Sequence, residues 1–528
     1  MGEPDDRTRA LVSELRRTLG PDRIVDEATL PRYRRDYGIF SLLPAAAVRP
    51  VTEEHIVLAL DTARRHALPV VARGGGSNTG GAAITDGMLL LFDGGGFDHI
   101  EVVAGSHHLR CGSGARHDHV QRAFGELGLH LPSDPSSGPL TRIGGNVATR
   151  ASGPHALRHG AINRYVVELR FITADGAVVD TRHPRTVPGR IAEGLRDLAV
   201  RLARDGTTAR RLESRRDVKW ASGYELLALL DHADDPVRAL PRLLTGSVGT
   251  LGIVTEVELR GHPAPEGCVA LLLRFANEQD ACSASADLRD SAQAIELVSR
   301  SALELLRRET DVLQGDGGSG ALLIVEYAGA GAAEAARCAA ADAADSCSLT
   351  GAPEIAGDES TIARIWRARK ALLPLLQRMT GARGVPYSVV NDVGVAPNRL
   401  AELVAGAERV FARHGLVAPV YGHAGSGNLH LRPLFPPGDL AVVRAVADEV
   451  YSLVTELGGT VTAEHGMGRL RAPFLELEWG REIAEYMRAL KAVFDPMGRL
   501  NPDTMFTRPG HRFRTDGWPL PPSLSGSR

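Results

Sequence analysis

Long apolar runs are missing from this sequence. No stretch of about 18 apolar residues occurs in its 528 positions, so no membrane-spanning helix is expected. A secretion signal is not expected either: Met1-Gly2-Glu3-Pro4-Asp5-Asp6-Arg7 carries acids where such a signal needs positive charge, and no apolar core follows. Cysteine is scarce. Cys111, Cys268, Cys282, Cys338 and Cys347 include no Cys-x-x-Cys pair, which argues against a cluster site and a disulfide framework and fits a reducing cytoplasm. An excess of one charge is also absent. The 61 Lys and Arg nearly balance 64 Asp and Glu, so the net −3 gives no global attraction to nucleic acid or an anionic membrane. No internal repeat is found. What is left is ordinary globular composition in a chain long enough for two or three domains.

One stretch stands out against this background. Val70-Val71-Ala72-Arg73-Gly74-Gly75-Gly76-Ser77-Asn78-Thr79-Gly80-Gly81-Ala82-Ala83 begins as a β-branched strand and becomes a run of glycines broken by small polar residues. Glycine at this density lets the backbone take positive φ and approach a ligand closely. Successive N–H groups then enclose an anion, most often a phosphate, while Ser77, Asn78 and Thr79 add donors and Arg73 adds charge. The spacing is neither the dinucleotide fingerprint nor the Gly-Lys-Ser/Thr loop. Strands expected at 70–72 and 88–92 hold the loop. Two more small-residue stretches follow. One runs through Pro132-Ser133-Asp134-Pro135 and Thr141-Arg142-Ile143-Gly144-Gly145-Asn146 to Thr149-Arg150-Ala151-Ser152-Gly153; the other is Thr245-Gly246-Ser247-Val248-Gly249-Thr250-Leu251-Gly252-Ile253-Val254.

Periodicity and turn residues predict helices over 8–19, 53–67, 120–127 and 191–204, with strands at 48–51, 99–103, 108–111 and 165–173. Near 261–267 the pattern changes. Strands at 269–275, 322–327 and 387–393 alternate with helices at 280–288, 331–345, 398–414 and 483–494.

The densest chemistry lies in Tyr421-Gly422-His423-Ala424-Gly425-Ser426-Gly427-Asn428-Leu429-His430 and Thr462-Ala463-Glu464-His465-Gly466. Gly425 and Gly427 argue against a helix, and two strands joined by a tight turn would set His423 and His430 across from each other. With Glu464 they form a donor set for Zn²⁺ or another borderline divalent metal, leaving an open position and a free His465. In Trp366-Arg367-Ala368-Arg369-Lys370, Arg369 suits a planar carboxylate, or else belongs to a solvated basic helix end.

Taken together, these segments resemble the FAD-linked oxidase family, the vanillyl-alcohol-oxidase-like flavoproteins. Within it they resemble D-2-hydroxy acid dehydrogenases and glycolate oxidase FAD subunits, in the branch often fused to an iron–sulfur domain. The resemblance covers about residues 30–508 and includes Leu500-Asn501-Pro502. It implies an α+β fold: a helical lead-in at 1–40, a two-subdomain FAD-binding domain at 41–262, an α+β substrate domain with an antiparallel sheet at 263–508, and a flexible tail at 509–528. It implies that FAD is held by Arg73, Gly74, Gly75, Gly76, Ser77, Asn78, Pro135, Thr141, Gly144, Gly145, Asn146, Thr149, Ser152, Gly153, Gly160, Gly249, Ile253, Val254 and Asn501. The cofactor is expected to be noncovalent, because 73–83 contains no His or Cys, although His155 and His159 lie near a flavin segment. His423, His430 and Glu464 are then the metal ligands, His465 the base, Arg369 the carboxylate anchor and Asn428 a substrate-orienting group. Three positions depart from the family pattern: Val248 and Asn391 stand where Glu is usual, and Ser426 where Asp is usual.

The activity so implied is FAD-dependent oxidation of a D-2-hydroxy acid of the lactate, glycolate or 2-hydroxyglutarate class, assisted by a divalent metal with Zn²⁺ first among candidates. Two alternatives stand beside it: an oxygen-using flavin oxidase of sugars or alcohols, and a flavin-binding electron-transfer subunit. The cysteine-rich cluster motifs of the fused relatives do not appear. A separate acceptor is therefore expected, an iron–sulfur protein, quinone, cytochrome or electron-transfer flavoprotein, with the inner face of the membrane as one place to meet it, and a homodimer is open.

Overall fold

A computed structural model describes residues 6–307, 313, 320–378 and 384–507. The tail expected at 509–528 lies outside the described residues. The first sheet is parallel. Its strands Ala46–Val48 and Val70–Arg73 flank Met88–Leu91. The helices Asp6–Leu19 and Glu53–Arg65 cover it, and Leu11, Leu15, Ile56 and Ala59 share its core, so the lead-in is part of this unit. Thr52 caps the second helix by accepting the His55 N–H, and Glu53 and Glu54 occupy its positively polarised first turn.

The second sheet is antiparallel, in the order Ile100–Val102, His108–Gly112, Ile253–Arg260, Val166–Ile172, Val178–Asp180. The third has seven strands, all paired antiparallel: Glu354–Ala356, Cys268–Phe275, Ala321–Ala328, Ala294–Ser299, Val420–His423, Asn428–Leu431 and Val393–Gly394. The two-residue period of its strands feeds two cores. Leu271, Leu273, Ile295 and Leu297 face the helices Glu278–Leu288, Ala332–Ser346, Leu400–Arg413 and Leu440–Glu456. Ala270, Leu272, Val298 and Ile324 face Arg300–Leu306 and Glu359–Arg378.

Two expectations change. Only Val393 of the 387–393 segment is in a strand; Tyr387 and Val389 close tight local bonds (Tyr387 N–H to Val385 O and Val389 N–H to Tyr387 O, 2.9 Å each), which bend the backbone out of a ladder. The last helical segment, Leu475–Phe494, is kinked at Gly480 (φ 72°) and packs Leu475, Trp479, Ile483, Met487, Leu490 and Phe494 into the core of the second sheet rather than of the third. The spatial unit around the second sheet thus includes residues from the C-terminal end of the chain.

Candidate active site

A cleft with about 1610 Å³ of empty space, counted out to its mouth, runs between the glycine loops and the part of the seven-stranded sheet that carries Tyr421, His423 and His430. Its walls are close-packed backbone. A Cβ on Gly75 would lie 1.9 Å from the Leu140 carbonyl oxygen, so that position needs glycine. A Cβ on Gly145 or Gly249 would meet nothing within 4 Å, because those residues look onto the cleft. Ser113 Oγ and Thr79 Oγ1 also line it, buried and without hydrogen-bond partners. Flat backbone walls and orphaned hydroxyls fit an extended polar cofactor such as FAD.

Sixteen of the residues expected to hold FAD line this cleft: Arg73 to Asn78, Pro135, Thr141, Gly144, Gly145, Asn146, Thr149, Ser152, Gly153, Gly249 and Val254. Gly160, Ile253 and Asn501 do not. Gly160 ends a helical turn at φ 69°, with its missing Cβ filled by the Arg164 side chain. Ile253 is buried in the core beside Ile172. Asn501 braces the wall from behind, donating from Nδ2 to Ala82 O (2.8 Å) and Val248 O (2.7 Å). Val248 itself holds φ 47°, a conformation that β-branched side chains rarely adopt. Asn78 lines the cleft but uses its side chain on the protein: Oδ1 accepts from Gly80 and Ala82 N–H, and Nδ2 donates to His465 O.

At the cleft floor the strands Val420–His423 and Asn428–Leu431 are joined by a short 3-10 turn, Ala424–Ser426, with Gly427 at φ 73°. The register pairs Tyr421 with His430 and His423 with Asn428. His423 and His430 are therefore diagonal rather than directly across, with ring centroids 5.2 Å apart. Alternation turns His430 to the cleft, while Leu429 and Leu431 enter the core.

Glu464 organises the site. Its Oε2 accepts from Lys219 Nζ and Ser152 Oγ, both at 2.8 Å. Its Oε1 faces three imidazoles, His423 Nε2 at 3.1 Å, His430 Nε2 at 3.6 Å and His465 Nε2 at 3.8 Å. The first two rings are pre-set. His423 Nδ1 lies 2.5 Å from Glu296 Oε1 and His430 Nδ1 lies 2.8 Å from Asn391 O, so each can donate from Nδ1 and present Nε2. This donor set fits a divalent metal. Asp392, His430, Glu464 and His465 also offer ligand atoms within 4.8 Å of one another. Asp392 is the poorer ligand of that group, because its Oδ2 already accepts from Thr462 Oγ1 and the N–H groups of Ala463, Glu464 and His465, and its Oδ1 from Asn428.

The charges balance around these contacts. Burial favours a protonated Glu464, but His423 and Lys219 overcome it and hold the carboxylate well below its usual range. Burial likewise opposes ionisation of Glu296, and Arg369 and His423 bring it down to about 2. His423 is pushed up to about 9: burial works against its charge, and Glu296 and Glu464 outweigh burial. Seating a metal on Nε2 requires that proton to leave. Burial drives His430 well down and His465 down.

Residues 44–182 match the FAD binding domain family, and residues 264–505 match the C-terminal domain of FAD linked oxidases. The chain belongs to the FAD-linked oxidases. It is an FAD-dependent oxidoreductase. Among curated relatives, it is 27% identical to glycolate oxidase subunit GlcD of Bacillus subtilis, over 95% of this chain and 97% of that one. It is 28% identical to D-2-hydroxyglutarate dehydrogenase of Pantoea ananatis, of which the matched region spans 49%. D-lactate dehydrogenase of Archaeoglobus fulgidus is 26% identical over 89% of this chain and 94% of its own. In fold, 4-ethylphenol oxidase from Gulosibacter chungangensis superposes with a TM-score of 0.66 at 15% identity, over 96% of this chain and 99% of the other.

Three side chains of this FAD-linked oxidase site were not found by sequence reasoning: Lys219, Glu296 and Arg432. Lys219 pairs with Glu464 245 positions away, and Glu296 with His423 127 positions away and with Arg369 in a different element, and no local spacing announces that. Arg432 had a signal, being two residues beyond His430 on an alternating strand. It lines the cleft, is 2% exposed, and has among the described residues one side-chain partner, Ser388 Oγ at 2.7 Å, and no acidic one. Arg369 lines the cleft as expected, with Nη2 2.5 Å from Glu296 Oε2 and its guanidinium 4.8 Å from the Tyr421 ring. Asn428 does not line it. Its amide is used up by Asp392 Oδ1, Val393 O and Lys219 Nζ, so it fixes the site rather than the substrate. Trp366 donates to Glu326, which also meets His155, and His155 bonds Asp134 on its other side. These contacts join the two walls.

Proposed function

We propose that this chain oxidises a D-2-hydroxy acid of the lactate, glycolate or 2-hydroxyglutarate class to the 2-oxo acid. One observation carries the reading: a carboxylate oxygen that meets three imidazoles at the floor of a glycine-walled cleft, with two buried guanidinia beside it. The names of the relatives point the same way. When bound, the flavin supplies a hydride acceptor, and a divalent metal, Zn²⁺ first among candidates, supplies a Lewis acid that lowers the pKa of the 2-hydroxyl.

His423, His430 and Glu464 are the metal-holding residues in this proposal. Arg369 and Arg432 bind the carboxylate. Arg369 is already neutralised by Glu296, so Arg432 is the cation most in need of an anion. His465 takes the hydroxyl proton at Nε2. Its Nδ1 lies 3.7 Å from Asp392, whose negative charge stabilises the imidazolium that forms. The glycine walls keep the reacting C–H and the cofactor at fixed positions and exclude bulk water. The buried guanidinium of Arg432, with no acidic partner among the described residues, argues against a neutral sugar or alcohol. Electrons then pass to a separate acceptor, an iron–sulfur protein, quinone, cytochrome or electron-transfer flavoprotein.

Metal analysis tests the donor set. Purified enzyme is expected to carry one metal at this site, a chelator to slow its turnover, and His430→Ala to lose both the metal and the rate. If metal-free enzyme turns over at full rate, the metal-assisted part fails.

A further inference from the structure

Away from the cleft, three histidines converge where the chain passes from the second sheet towards the third. A two-stranded ribbon of Leu129–His130 and His262–Pro263 sets His262 directly opposite His130. His159 ends the helical turn Ala156–His159 and packs against both. The ring centroids are 5.7 Å apart for His130 and His262, 5.8 Å for His130 and His159, and 4.8 Å for His159 and His262. All three pairs meet edge to face, at 84°, 89° and 69°. The buried Nε2 of His130 has no hydrogen-bond partner. Among the described residues, no carboxylate lies within ion-pair distance of these rings, and the single hydrogen bond they make is from His262 Nδ1 to Pro263 O.

We propose that His130, His159 and His262 form a second metal site, separate from the cleft, that takes a divalent late transition metal such as Zn²⁺. Tetrahedral Zn²⁺ with Zn–N bonds of about 2.0–2.1 Å places the centroids of its imidazoles about 5 Å apart. The three separations bracket that value. His423 and His430, the pair assigned to the cleft metal, stand 5.2 Å apart at 85°. As the rings are set, their nitrogens do not all converge on one point; half-turns of a ring about its Cβ–Cγ bond exchange nitrogens for carbons without moving the ring, and the site requires such half-turns. Burial and the neighbouring rings His262 and His130 hold His159 down to about 4, leaving a neutral imidazole, the form that ligates. His262 is exposed, which leaves the fourth position to water. A metal here would pin the helical turn to the ribbon, whose two strands already pair through their backbones.

The test uses the tag-free, FAD-loaded full chain, equilibrated with Zn²⁺ and desalted, with zinc counted per chain. Wild type is expected to hold two. His262→Ala and His130→Ala are each expected to hold one, with FAD content unchanged and, for His262→Ala, turnover unchanged. His430→Ala should also hold one, and His262→Ala/His430→Ala none. The proposal is overturned if the zinc count is the same with and without His262 and His130. Should the cleft reading alone be wrong, wild type holds a single zinc that His262→Ala removes and His430→Ala does not.

Discussion

His465 has one ring nitrogen towards Glu464 and the other towards Asp392, and its burial sets its chemistry. Burial lowers its pKa although both carboxylates oppose that shift. A base works in its deprotonated form, so a lowered pKa keeps it active through neutral pH. Flavin reduction at saturating substrate is expected to be flat around pH 7 and to fall only below the ordinary imidazole value of about 6.5. A cation bound at Glu464 would move that fall further down, in the same direction. His465→Ala should slow reduction by about 10²-fold or more and abolish the acidic fall, with FAD and metal retained. Stopped-flow absorbance across pH measures both. Lys219 makes a second prediction. It turns Glu464 so that Oε1 faces the histidines, and Lys219→Met should weaken metal binding about 10–100-fold, as loss of an outer-shell partner does. Chelator competition reads this directly, and an unchanged affinity would reduce Lys219 to a space filler. At this scale the clustering of His423, His430, Glu464 and His465 was legible because they sit in two short motifs. Lys219 and Glu296 were not, since their meaning comes from partners that only the folded chain brings near.

The hairpin Val420–Leu431 shows what an element contributes. Gly427 at φ 73° closes it, and a Cβ there would lie 2.0 Å from Val395 O. Gly427→Ala has to move the neighbouring strand as well as adopt left-handed backbone, which alone costs roughly 1–2 kcal/mol. Chemical denaturation should show at least that loss, together with weaker metal binding because His430 lies three residues on. Ser426, the departure from Asp, sits in the turn with Oγ donating to His423 O, and points at no ligand. The glycines foretold two strands and a turn, but not the register. Pairing Tyr421 rather than His423 with His430 is decided by the length of the 3-10 turn, which composition does not encode. The 387–393 segment misled for a related reason. Its β-branched and aromatic residues are buried as in a strand, yet Asn391 and Asp392 are held by side-chain bonds to the 460s loop and to Arg471 rather than by a ladder.

For the whole molecule, an FAD-binding part that carries the glycine loops, followed by a part with an antiparallel sheet, was expected from the family resemblance, and the sheets are there. The return of Leu475–Phe494 to the second sheet was not. Its amphipathic pattern reports that one face is buried, but not which core receives it. That return matters, since Gly466 and Asn501, on either side of the helix, both reach the cofactor wall: Gly466 lies against Thr149, and Asn501 bonds Val248. The central claim is that this assembled cleft passes hydride from a D-2-hydroxy acid to flavin. Anaerobic mixing of the purified FAD-loaded enzyme with a panel of D- and L-2-hydroxy acids, sugars and alcohols tests it most directly. At least one D-2-hydroxy acid is predicted to bleach the flavin absorbance within the dead time of turnover, and Arg432→Ala to weaken that response. Bleaching by a neutral sugar or alcohol, with every 2-hydroxy acid inert, would contradict the account.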